Sequence, residues 1–117
     1  MRYLDKTLES TQQQVFALNV ARLILHIYES GYSCTFGDAF RSPEQAALNA
    51  TRGIGIKDSQ HCKRLAVDLN LFSPSGKYCY DSKPYEAFGI YWEQLHDQNR
   101  WGGNFQRNDA GHFEMKD

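Results

Sequence analysis

Two histidines and an aspartate, His61, Asp68 and His112, stand out in a chain of 117 residues that holds 4 histidines in all. Imidazole nitrogen and carboxylate oxygen are the donors a hydrolytic zinc ion takes, three from the protein with one position left for water. Such ligands keep the ion a strong Lewis acid, and water held by it ionises near neutral pH. The order Ser59-x-His61, Asp68, His112 meets that demand on residue type. By itself the trio is also what three ordinary surface side chains would look like. The difference lies in whether the chain brings them together.

The neighbouring residues give it a way to do so. Leu65, Val67, Leu69 and Leu71 alternate with Ala66, Asp68 and Asn70, the period of two that marks a strand. The leucine-valine face belongs on a core, which points Asp68 out of the other face. His112-Phe113-Glu114-Met115 alternates in the same way, so His112 and Glu114 share a face. Two strands of one sheet can then present Asp68 and His112 to a single point. His61, just ahead of its strand, can reach over the same face.

The remaining elements build the support. Apolar residues at a helical period run from about Gln12 to Ser30 and cover more than half of the circumference, which predicts a helix buried on several sides. Gly31 is placed to end it, and His26 falls on its polar face. Tyr32 to Phe40 suits a strand bent at Gly37. Ser42-Pro43-Glu44-Gln45 reads as an N-cap, a first-turn proline and a capping box opening a short helix through Ala50. Residues 51–60 form a glycine-punctuated loop. Ser73 to Gly76 is a turn, with Lys77 to Tyr80 returning as a hairpin partner. Pro84 opens a helix to about His96 that buries Phe88, Tyr91, Trp92 and Leu95, and Trp101 to Phe105 is a glycine-bearing loop. Tyr78, Tyr80 and His96 are expected to be structural. The order gives an α+β fold, an antiparallel sheet packed against helices in a single domain over residues 1–117.

Bulk properties narrow the function classes. Hydrophobic residues make up 41% and charged residues 23%, ordinary for one globular domain able to bury its own core. A net charge of −1 and a pI near 6.4 lack the basic stripe of a nucleic-acid protein. Cys34, Cys62 and Cys79 include no Cys-x-x-Cys element and read as reduced thiols of a protein made in the cytosol. No apolar run approaches the roughly 20 residues of a membrane span. Met1 to Lys6 has no hydrophobic signal core behind it.

The run Ser59-Gln60-His61-Cys62-Lys63-Arg64-Leu65-Ala66-Val67-Asp68 resembles the Ser-x-His-x-x-Gly-x-Ala-x-Asp signature of the M15 peptidases. Those include D-Ala-D-Ala carboxypeptidases, dipeptidases of vancomycin resistance and L-alanyl-D-glutamate endopeptidases of phage endolysins. Trp101-Gly102-Gly103, followed by Asp109-Ala110-Gly111-His112-Phe113-Glu114, is similar to the second half of the endolysin-type pattern. Asp38-Ala39-Phe40-Arg41-Ser42 looks like the arginine-bearing strand end of the family, with Gln45 a helical turn on. The motifs occur in the family's order and span about residues 32–115. Arg64 stands where the signature has glycine, so a turn with positive φ there is expected to be expensive. Asp109 stands where much of the family has glutamate, and matches the endolysin-like branch.

The resemblance implies a hedgehog/DD-peptidase-like fold and assigns roles. His61, Asp68 and His112 become zinc ligands. Asp109 becomes the general base, and Arg41 the cation that stabilises the oxyanion. Ser59, Gln45 and Trp101 become substrate contacts. Glu114, on the strand face of His112, is the rival base, and is expected instead to orient a metal ligand or Arg41. The expected substrate is the stem peptide of peptidoglycan, cut by an L-alanyl-D-glutamate endopeptidase of phage or prophage setting. It is expected to be a monomer that leaves the cytoplasm through a holin-type pore or within a virion. A D,D-carboxypeptidase or dipeptidase on the same scaffold, and a non-catalytic zinc-containing wall-binding module, are the alternatives.

Overall fold

Leu8–Glu29 form helix α1, which begins a turn ahead of Gln12. Its buried residues, Phe16, Asn19, Leu23 and Ile27, follow an i, i+3, i+4 spacing and make one stripe. Leu25 and Tyr28 are exposed, so the expectation of burial on several sides is corrected. Sheet and second helix cover one flank of α1 only. Gly31 adopts a φ of 87° and closes the helix with paired bonds: its N–H donates to the Tyr28 carbonyl, and that of Tyr32 to the Ile27 carbonyl.

In the computed structural model, which describes residues 8–40, 42, 44, 45, 47, 48 and 60–117, four strands follow. They are β1 (Ser33–Phe36), β2 (Ala66–Phe72), β3 (Asn99–Trp101) and β4 (His112–Met115), in the antiparallel order β1-β2-β4-β3. Strand β1 stops at Phe36, short of the expected Phe40. The Gly37 N–H donates to the Asp68 carbonyl and the Asp68 N–H to the Asp38 carbonyl, both at 2.7 Å. Two residues thus face one, a β-bulge that bends the strand at Gly37 beside Asp68.

The expected hairpin return from Lys77 to Tyr80 shrinks to a single bridge, Phe72 to Tyr78. Cys79 N–H does donate to the Leu71 carbonyl, at 2.9 Å. The reciprocal bond is intercepted, because Leu71 N–H donates to the Tyr85 hydroxyl, which donates onward to the Cys79 carbonyl. Tyr85 wedges the two segments apart. It belongs to a 3₁₀ turn, Lys83–Tyr85, that leads into helix α2, Glu86–Leu95.

Both helices pack on the sheet face that carries Val67, Leu69, Leu71 and Phe113. Trp92 of α2 is fully buried there, edge-on to Phe16 and Phe113 and donating its indole N–H to the Glu114 carbonyl. With the core on this face, the alternation of β2 and β4 sends Asp68, His112 and Glu114 to the opposite one. No helix among the described residues is long and apolar enough to cross a membrane.

Candidate metal centre

Asp68 and His112 are register partners on adjacent central strands. Side chains opposite each other on one face are held about 5 Å apart at Cβ, close enough for their polar ends to meet. His112 Nδ1 lies 3.1 Å from Asp68 Oδ1. His61 comes from a 3₁₀ turn, Gln60–Lys63, just ahead of β2. That turn is tied down twice: Gln60 donates to the Met115 carbonyl at 2.7 Å, and Gln13 of α1 to the Lys63 carbonyl at 3.0 Å. His61 is 2% exposed and sets its Nε2 3.2 Å from the same Asp68 Oδ1.

The three ligand atoms lie within 4.8 Å of one another. A tetrahedral ion with bonds of roughly 2.05 Å separates its donors by about 3.3 Å, close to the two nitrogen–oxygen distances here. Each histidine is held so that one nitrogen faces the trio. His61 Nδ1 lies 3.3 Å from the Ala39 carbonyl, and His112 Nε2 lies 2.7 Å from Glu114 Oε1. An N–H donated outward at each ring leaves His61 Nε2 and His112 Nδ1 their lone pairs for a cation, the arrangement by which outer partners orient metal-binding imidazoles. In chemistry and placement the donors fit a divalent metal such as zinc.

Electrostatics point the same way. Burial opposes the ionisation of Asp68, but hydrogen bonds from His112 and His61 prevail and bring its carboxyl to about 2. Burial likewise disfavours a charged His112, yet bonds to Asp68 and Glu114 prevail and raise it to about 9. Glu114, despite burial, is held below its ordinary range by His112 and by the Arg100 guanidinium. Anionic groups therefore surround the ring nitrogens, and a proton on His112 occupies the place where a metal's charge would act.

Asp109 stands at the rim, 62% exposed at its side chain, with Oδ2 4.0 Å from His112 Nδ1. A turn fixes its backbone: the His112 N–H donates to the Asp109 carbonyl, and the Asp109 N–H to the Gly102 carbonyl. Gly102 makes the approach possible, since a Cβ there would lie 2.1 Å from the Asp109 carbonyl oxygen and 2.8 Å from His112 Cβ.

A sequence family described as D-alanyl-D-alanine carboxypeptidase matches residues 53–115, more than half of the chain and all of the trio. The chain belongs to the M15 peptidase family. No curated protein matches its sequence. Among solved structures, the L-Ala D-Glu endopeptidase ChiX of Serratia marcescens matches with a TM-score of 0.68, covering 85% of this chain and 77% of that one at 21% identity. That likeness shows a shared fold, so the α+β reading with an antiparallel sheet holds.

Other expected site residues of this M15 peptidase fare differently. Trp101 is 6% exposed and shares the core face with its register partner Phe113. Its indole N–H donates to the Ala110 carbonyl at 2.7 Å, so it braces the Asp109 loop from beneath and does not line a cleft. Glu114 meets His112 Nε2, and its cation among the described residues is Arg100, bonded to Oε2. Arg100 was not legible because the sequence assigns no element between His96 and Trp101. As a strand, its register sets Arg100 opposite Glu114. Gln45 is exposed at the start of the short helix, its N–H donating to Ser42 Oγ as the capping box required. Arg41 and Ser59 lie outside the described residues.

Arg64 adopts a φ of 57°, the left-handed turn expected to be expensive without glycine. Its guanidinium carbon sits 4.1 Å from the centre of the Phe40 ring, a contact that offsets part of the strain.

Proposed function

We propose that this chain is a zinc-dependent peptidoglycan hydrolase that cuts the stem peptide, with the L-Ala–D-Glu bond as its target. The convergence of His61, Asp68 and His112 on one point, with the Asp109 carboxylate 4.0 Å from His112, carries the reading. A purely structural metal site has no use for an exposed carboxylate at its rim. The family match and the fold shared with an L-Ala D-Glu endopeptidase support the substrate class.

Zinc bound by His61 Nε2, Asp68 Oδ1 and His112 Nδ1 would supply Lewis acidity toward the attacking water and the scissile carbonyl. The protein's own groups do the rest. Asp109, exposed enough to swing, takes a proton from the attacking water and gives it to the departing amine. Arg41 is proposed to face the charge that develops on the carbonyl oxygen. Ser59 and Gln45 are proposed peptide contacts. Glu114, anchored by Arg100, keeps the His112 ring from rotating.

The test is to incubate zinc-loaded protein with purified peptidoglycan and identify new termini by mass spectrometry. New L-Ala carboxyl and D-Glu amino termini support the endopeptidase. Release of terminal D-Ala would instead support the carboxypeptidase, the reading favoured by the family's description. Zinc held with no new termini would support a wall-binding module. An endolysin-like setting, with release by a holin-type pore or delivery in a virion, belongs to the same proposal.

A further inference from the structure

A cleft of about 520 Å³ runs from Asp68 and Asp109 to the segment Tyr78–Ser82, which the Tyr85 hydroxyl helps to tie to β2. Its far wall is aromatic. Tyr80 is 88% exposed and stands edge-on to Tyr78, their rings 4.7 Å apart at 89°, and Tyr78 in turn meets Phe72 at 5.6 Å. A tyrosine so exposed gains little from folding, whereas its ring face can receive a ligand. Asp81 follows directly and lines the same cleft, with no ion-pair partner among the described residues. The residues lining the cleft include three aspartates and neither lysine nor arginine. A metal and the peptide-bond chemistry account for Asp68 and Asp109. Asp81 is left over.

Resting on the peptidase reading above, we propose that Tyr78, Tyr80 and Asp81 form a subsite for a side-chain ammonium, the cationic end of a diamino residue in the substrate peptide. A cation is attracted to the negative face of an aromatic ring and to a nearby carboxylate, and both attractions act on an ammonium entering here. An anionic group at this end would meet carboxylates, with neither lysine nor arginine among the lining residues. The wall thus selects substrates by the charge of a side chain beyond the bond that breaks.

The test uses two synthetic stem peptides with lysine as third residue, one with its ε-amine free and one acetylated. Dissociation constants are measured by NMR titration of the zinc-loaded Asp109→Asn variant, which holds substrate while turning it over slowly. Initial rates are measured on the zinc-loaded wild type. The free amine should bind about tenfold tighter, with shifts centred on Tyr78 to Ser82 and the preference falling as salt rises. Added Tyr80→Ala or Asp81→Asn should bring the ratio toward one, and Tyr80→Phe should keep it. Equal affinities, no binding of either peptide, or a preference untouched by Tyr80→Ala and Asp81→Asn would overturn the subsite. Cleavage of both peptides at equal rates would overturn the subsite and leave the peptidase standing. Charge-dependent binding without cleavage would leave the subsite standing and remove the peptidase.

Discussion

Glu114 Oε1 lies 2.7 Å from His112 Nε2, and the two side chains share one face of β4 at positions i and i+2. The contact fixes which ring nitrogen faces Asp68. Removing a carboxylate that orients a metal-binding imidazole usually weakens metal affinity about 10 to 100-fold. Glu114→Gln should therefore loosen zinc by that order, and Arg100→Gln by less, since Arg100 acts through Glu114. Chelator competition measures both. Unchanged affinity in Glu114→Gln would remove the orienting role.

The charge pattern sets a pH dependence for the metal-free protein. His112 is raised from an ordinary value near 6.5 to about 9, so its contribution is complete below about 6.5 and is lost as pH climbs through 9. Asp68 is lowered from 3.8 to about 2, so its contribution is present above about 3.8 and is lost as pH falls through 2. Thermal stability of the zinc-free protein should thus be greatest between about pH 4 and 6.5. Zinc must displace the His112 proton, so binding should tighten from pH 6.5 to 9 and release a proton. Calorimetry in buffers of different ionisation enthalpy counts that proton. Proton-free binding at pH 7 would contradict the assignment.

Arg64 in the left-handed region carries a penalty of roughly 1–2 kcal/mol that glycine escapes, offset in part by about 0.5–1 kcal/mol from an exposed cation–π contact with Phe40. Arg64→Gly should therefore equal or exceed the native chain in stability, by up to about 1.5 kcal/mol. Arg64→Val, β-branched at positive φ and without the cation, should lose about 1–2 kcal/mol. Denaturant unfolding with matched m-values decides. A destabilised Arg64→Gly would show that the contact outweighs the strain.

Gly102→Ala places a Cβ within 2.1 Å of the Asp109 carbonyl oxygen and 2.8 Å of His112 Cβ, both backbone-anchored. The Asp109–His112 turn must shift. Zinc affinity and stability should fall together, unlike Glu114→Gln, where affinity falls first. Native zinc affinity in Gly102→Ala would show that the turn is more compliant than this packing implies.

Much of the site was readable from residue alternation. Period two over Leu65 to Leu71 and over His112 to Met115 gave the faces of Asp68, His112 and Glu114, because one buried face settles the other. Arg100 escaped, since a three-residue strand such as β3 is too short to show a period. The same brevity made Trp101 look like a loop residue at the cleft. Tyr85 escaped as well: a phenol that intercepts one ladder bond of β2 leaves no pattern in sequence, yet it decides where the cleft opens. Arg64 was seen as a departure from glycine. That the backbone keeps φ of 57° regardless is eased in part by Phe40, a contact set by tertiary structure.

The central claim is that the trio carries a hydrolytic metal with Asp109 as its proton acceptor. The most direct measurement is single-turnover cleavage of peptidoglycan by wild type and Asp109→Asn, with zinc determined in the same samples. A general base contributes roughly 10² to 10⁴ in rate. Wild type should release new peptide termini, and zinc-replete Asp109→Asn should be slower by that factor. Zinc-replete wild type that releases none, or Asp109→Asn as fast as wild type, would contradict the account.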